Sequence, residues 1–135
     1  MNLDINKITE VLKTFEEIEF AYLYGSYANG TATPLSDVDI AVFQKHKNTF
    51  ELKMNEFKIE AELMKEIPGI EFDVRSLNNA PITVTGKIIN EGKFLFCRDE
   101  QRFLDYTVSK RMQYMDYMIV YKPIFDKRYE EMLND

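Results

Sequence analysis

Cysteine and histidine are almost missing from this chain: Cys97 and His46 are the only ones in 135 residues. No disulfide can close within it, and no Cys/His zinc site can be assembled. Glycine and proline are also scarce, at five and four, which excludes a linker or a low-complexity chain. No run approaches the ~20 apolar residues a membrane helix needs. The opening MNLDINKITEVLK is amphipathic and charged, with no apolar signal segment. The chain is therefore read as soluble and cytosolic. Neither Gly-x-x-x-x-Gly-Lys-Ser/Thr nor Gly-x-Gly-x-x-Gly occurs, so P-loop and Rossmann readings have no support. Positive charge is in deficit: 17 Lys and Arg face 23 Asp and Glu, for a net −6 and a pI near 4.9. Such a surface repels phosphate backbones, so nucleic acid is not expected as a bulk partner. A small nucleotide neutralised by metal is still allowed.

What is present suits one core. The apolar fraction is 45%, with ten Phe and eight Tyr, and residues 1–135 are read as a single domain. Leu3, Ile5, Ile8, Val11, Leu12 and Phe15 recur at helical spacing and predict a helix to about Glu17. Phe20 to Tyr24 reads as a strand, Gly25 to Ser36 as a loop, and Asp37 to Phe43 as an alternating strand. A helix is expected over Thr49–Glu66, with Phe50, Met54, Phe57, Ala61 and Met64 as its apolar stripe. Ile70 to Arg75 alternates again, setting Glu71, Asp73 and Arg75 opposite Ile70, Phe72 and Val74. Asn79 is expected to cap a short helix that closes at Gly92, and Lys93 to Cys97 reads as a strand. From Asp99 the pattern is helical to Tyr121, where Pro123 should interrupt it. The order predicts an α/β (α+β) fold, a mixed sheet with helices packed mainly on one side.

The chemistry is concentrated in Gly25-Ser26, ten intervening residues, then Asp37-Val38-Asp39. Alternate residues on a strand share a face, so Asp37 and Asp39 repel each other unless a cation lies between them. Oxygen donors with no soft ligand nearby select Mg²⁺ or Mn²⁺. Asp73 lies on the polar face of another predicted strand. Side by side, those strands would bring three carboxylates together, enough for two divalent ions and an in-line displacement at phosphorus. Asp73 is then the expected general base. Gly25 lets backbone approach a phosphate, and the Ser26 hydroxyl can bond its oxygens. Taken singly these features are ordinary: Gly-Ser pairs are usually turns, and Asp-x-Asp usually a solvated face. It is the combination that points to nucleotide chemistry.

GSYANGTATPLSDVDIAVF resembles the signature of the DNA polymerase β-type nucleotidyltransferase superfamily. The whole chain, including EFDVRSLNNAP, resembles the MntA-like minimal nucleotidyltransferases. The resemblance implies an antitoxin that silences a HEPN-domain ribonuclease toxin by transferring AMP from Mg²⁺-ATP to a tyrosine hydroxyl. It implies that Gly25 and Ser26 bind triphosphate, with Ser36 counted among the nucleotide contacts. It also implies that Asp37 and Asp39 bind two metals and that Asp73 completes the triad. Many relatives carry Arg where this chain has Asn29, so a phosphate partner is expected from Arg75 or Lys87 instead. Arg75 can equally be a counter-charge for Glu71 or Asp73. Two other readings remain: AMP transfer to a small hydroxylated molecule such as an aminoglycoside, and a toxin-binding module without catalysis.

Other features are read more plainly. His46, between Lys45 and Lys47, is expected to be solvated, and Cys97 to fill core. The chain lacks an Arg followed a few residues on by His, the HEPN ribonuclease arrangement, so it is not the toxin half. Phe103 to Tyr121, rich in Tyr and Met, is expected to be mostly core, with one face open to a partner.

Overall fold

A computed structural model describes residues 3–45 and 48–134; His46 therefore lies outside the described residues. The first helix, α1 (Ile5–Lys13), starts where the Asp4 carboxylate accepts the Lys7 N–H. It stops four residues short of Glu17, because the Thr14 hydroxyl and N–H both turn back onto the Val11 carbonyl. Strand β1 (Ile18–Tyr24) follows, then a one-turn helix α2 (Ser26–Asn29) inside the segment expected to be all loop. Strand β2 (Val38–Gln44), helix α3 (Thr49–Glu66) and strand β3 (Phe72–Ser76) form a parallel crossover unit. The chain continues through α4 (Ile82–Glu91), β4 (Lys93–Cys97), α5 (Glu100–Asp116) and α6 (Lys122–Asn134).

The four strands order as β3-β2-β1-β4, with β1 antiparallel to both neighbours and β2 parallel to β3. On one face Ile8 and Leu12 of α1 and Ile59 and Leu63 of α3 cover Leu23, Ile40 and Val74. On the other, α4 and the start of α5 pack Ile88, Ile89, Phe103 and Tyr106 over Phe20, Tyr22 and Phe43. Helical cover is thus continuous on the first face and partial on the second. The uncovered end of that second face holds the acidic residues.

The stripe expected to bury α3 is the one that faces water: Phe50 is 72% exposed and Phe57 64%. Its buried side is Leu52, Glu56, Ile59 and Leu63. The reason lies in the edge strand. One side of β3 has no strand partner, and its Val74 and Ser76 N–H groups need acceptors. Glu60 accepts from Val74 at 2.8 Å, and Glu56 accepts the Ser76 N–H at 3.1 Å and its hydroxyl at 2.7 Å. Hydrogen-bond demand, invisible to an apolar pattern, sets the roll of the helix.

Asn79 is not the cap of α4. Pro81 occupies that position, with no side-chain bond to the first turn. Gly92 does close the helix, donating its N–H to Ile88. Nor does Pro123 end the last helix: α5 continues through one π-helical turn, Tyr117–Tyr121, into α6. There the Lys122 N–H reaches back five residues to the Tyr117 carbonyl, loosening the ladder where proline has no N–H to give. Phe103 and Tyr106 are core as expected, whereas Met112, Met115 and Ile119 are well exposed. No helix among the described residues is long and apolar enough to cross a membrane.

Candidate active site

Register brings the site together. Tyr24 at the end of β1 stands opposite Asp39 on β2, and Asp39 stands opposite Asp73 on β3. Paired residues in neighbouring strands point to the same face, so the three form one row about 5 Å apart. Asp37 lies just before β2 and is exposed, whereas Asp39 and Asp73 are half-buried.

Gly25 follows Tyr24 with φ +73° and ψ −151°, a region that is essentially glycine-only. A Cβ there would strike the Asp39 Oδ2, so the backbone at Gly25 packs directly against that carboxylate. Ser26 then begins α2, where the N–H groups of Ser26 and Tyr27 have no preceding helical carbonyl to bind. The Gly25 carbonyl accepts from Ala28 and Asn29 at 3.1 and 3.2 Å, closing the turn. Asn29 accepts the Thr31 N–H at 3.1 Å, which commits its carboxamide to the loop.

Negative charge is crowded at the centre. Burial raises the Asp39 carboxyl above the usual range, and the charges of Asp73 and Asp37 push it further the same way. Tyr24 is pushed up to about 12, chiefly by burial and then by Asp39 and Asp73. Arg75 pairs with Asp73, Nε to Oδ2 at 3.3 Å. Its role as a counter-charge for Asp73 is therefore realised, in an exposed pair of the kind that contributes little stability.

The three carboxylates of the sequence reading are drawn to different neighbours. They are near enough to perturb one another, yet among the described residues no three His, Cys, Asp or Glu side chains gather closely enough to hold a metal ion. Asp73 is drawn to Arg75, Asp39 abuts Gly25, and Asp37 borders a separate cleft with Tyr27 and Glu71. The donor set, oxygen only and net negative, still matches a hard divalent cation. Ser36 sits on the Asp37 side, its Oγ accepting the Thr33 N–H at 2.9 Å; it braces the loop and does not line the cleft beside Gly25.

Two clefts meet at Tyr24. One, of about 500 Å³, includes Gly25, Asn29, Lys87 and Gly92 on the β1/β4 side. The other, of about 310 Å³, includes Ala41, Lys53, Glu56 and Arg75 on the β2/β3 side. Sequence reasoning named Lys87 and Arg75 but missed Tyr24, Lys53 and Glu56. The alternation of Phe20, Tyr22 and Tyr24 into Gly25 could have revealed the first. Cys97 is half-buried at a strand end, with its thiol raised by burial, in keeping with a packing role.

A glycine turn pressed on one of two cross-strand carboxylates, at the open end of a mixed sheet, defines a nucleotidyltransferase-type site. The family model described as "Polymerase beta, Nucleotidyltransferase" matches residues 6–101, and the chain belongs to that family. It is similar to the protein adenylyltransferase MntA of Shewanella oneidensis, 27% identical over 110 residues that cover 79% of this chain and 76% of that one. Its fold also matches a chain of a crystal structure of a toxin–antitoxin with AMP-PNP. There the TM-score is 0.74 at 23% identity, covering 94% of this chain and 99% of that chain. A structure of a tri-AMPylated Shewanella oneidensis HEPN toxin with its MNT antitoxin matches with a TM-score of 0.67 at 21% identity, covering 93% and 95%.

Proposed function

We propose that this chain is a protein adenylyltransferase antitoxin, moving AMP from ATP to a tyrosine hydroxyl of a HEPN-domain toxin. The observation that carries the reading is Asp39 standing opposite Asp73, with the Gly25 turn against its carboxylate. The similarity to MntA supports the acceptor class. Asp37, Asp39 and Asp73 would hold Mg²⁺, which when bound neutralises triphosphate charge and acidifies the acceptor hydroxyl. Gly25 and Ser26 would offer backbone N–H and hydroxyl to the β- and γ-phosphates, and Lys87 of α4 lines the same cleft as Gly25. Arg75 is available to the α-phosphate once Asp73 turns to its other task.

In the reaction the tyrosine oxygen forms a bond to the α-phosphorus, and the bond from that phosphorus to the β-bridging oxygen breaks. Pyrophosphate departs on the Gly25 side, and the phenolic proton passes to the Asp73 carboxylate.

The test is to incubate the chain with its HEPN partner, Mg²⁺ and ATP labelled at the α-phosphate. AMP should appear on the partner and vanish with Asp39→Asn, whose circular dichroism should match the wild type. An unlabelled partner with the wild-type chain, or label that survives Asp39→Asn, sinks the proposal.

A further inference from the structure

Displacement at phosphorus is in line, so the attacking oxygen and the departing pyrophosphate lie on opposite sides of the phosphorus. In this fold the two sides are distinct places. The Gly25 turn stands at the end of β1, while Asp73 and Arg75 stand two strands away on β3. Tyr24 lines both clefts where they meet, with Val84 and Ile88 of α4. The cleft beside Gly25, which also holds Lys87, suits phosphate. The acceptor must then approach from the β3 side, where the second pocket opens.

We infer that the pocket on the Arg75 side of Tyr24 is the acceptor subsite, and that it receives the aromatic ring of the acceptor with its hydroxyl toward Asp73. This rests on the adenylyl transfer reading above and adds where the acceptor binds and what excludes rivals. The floor is Ala41, which lies between Tyr22 and Arg75 in the cross-strand register. Its small side chain leaves the space that a larger one would fill. Leu77 and Ile88 continue the apolar lining. At about 310 Å³ the pocket is at the low end for ligand sites, enough for one ring and too small for a nucleoside triphosphate.

The apolar floor selects among acceptors. The cations at the rim are already paired: Lys53 Nζ lies 3.8 Å from Glu56 Oε1, and Arg75 pairs with Asp73. The other Glu56 oxygen accepts from Ser76. A floor of this kind leaves the many hydroxyls of an aminoglycoside unpaired. A phenol ring, with its one hydroxyl at the mouth, does not meet that penalty.

The experiment is a methyl NMR titration of the full chain, with Mg²⁺ and AMP-PNP present, using N-acetyl-L-tyrosinamide as the probe and kanamycin as the comparison. Shifts at the Leu77 methyls, which line this pocket and not the Gly25 cleft, are expected with the tyrosine probe and not with kanamycin. Ala80→Phe, which lines this pocket and not the other, should leave AMP-PNP affinity within about twofold and abolish the probe's shifts. Asn79→Phe, at an exposed position, provides a second filling variant should the first melt early. With the HEPN partner as acceptor, either variant should raise KM at least tenfold. A tenfold loss of AMP-PNP affinity in both variants would assign the pocket to the base and overturn the inference. So would kanamycin shifts at these methyls, or probe shifts that persist in both variants. If the probe binds as expected yet the wild-type chain never labels its partner, the pocket stands and the transfer reading falls.

Discussion

The Cα of Gly25 and the carboxylate of Asp39 share one space: a methyl group on the first would collide with Oδ2 of the second. The glycine turn and the acidic strand are a single packed unit, so the spacing between them in sequence is a steric requirement of the site.

Gly25→Ala should therefore fail twice. Its backbone conformation costs about 1–3 kcal/mol for any side chain, and the methyl group displaces Asp39. Chemical denaturation should show a loss in that range, and AMP transfer should fall at least tenfold. A variant with wild-type activity would mean the turn and the carboxylate move independently.

Asp39 should make the metal-free protein less stable at neutral pH. Its folded pKa lies above the ordinary value, through burial first and then through Asp73 and Asp37. The stability linked to it is fully present below the ordinary aspartate pKa and is lost as pH rises through the raised one. Asp39→Asn should thus melt a few degrees higher than wild type at pH 7 in EDTA, with the advantage shrinking toward pH 3. Thermal melts at the two pH values check both limbs, and Mg²⁺ should stabilise only the wild type.

Glu56→Ala should expose the weakness of the edge strand. It strips the acceptor from the Ser76 N–H and hydroxyl at a residue that is only 7% accessible. Leaving buried donors unpaired costs about 1–3 kcal/mol. Urea denaturation should show that loss. Hydrogen exchange should quicken at Ser76 while the Leu23 amide stays protected.

Gly86→Ala should push α4 and α5 apart. A Cβ at Gly86 would overlap the Tyr114 ring and its Cβ, and overpacking of this kind costs about 1–3 kcal/mol. Adding Tyr114→Ala should recover some of the loss, a coupling a double-mutant cycle would measure. Additive losses would show that the two helices do not touch there.

Much of this molecule was legible in one dimension because its signals are local. The β4 strand and the span of α3 emerged at their predicted residues, since period and turn chemistry are properties of a short window. Gly25, Asp37 and Asp39 lie within fifteen residues, so their spacing could be read directly from the chain. What failed to show depended on partners far along the chain. Phe50 and Phe57 looked like core, because nothing in that helix reveals that Val74 and Ser76 will ask it for carboxylates. Pro123 looked like a stop, because a π turn costs little on a helix with few contacts to break.

From sequence alone came the acidic residues on their strands, the glycine bend before them and the exclusion of a disulfide within the chain, since each is written in residue type and spacing. Tertiary structure alone decided that Asp39 would face Asp73, that Tyr24 would line a pair of clefts, and that Arg75 would lean on an acid. Those outcomes depend on which strands lie side by side and in what register, and register is settled by core packing and backbone hydrogen bonds summed over the whole sheet.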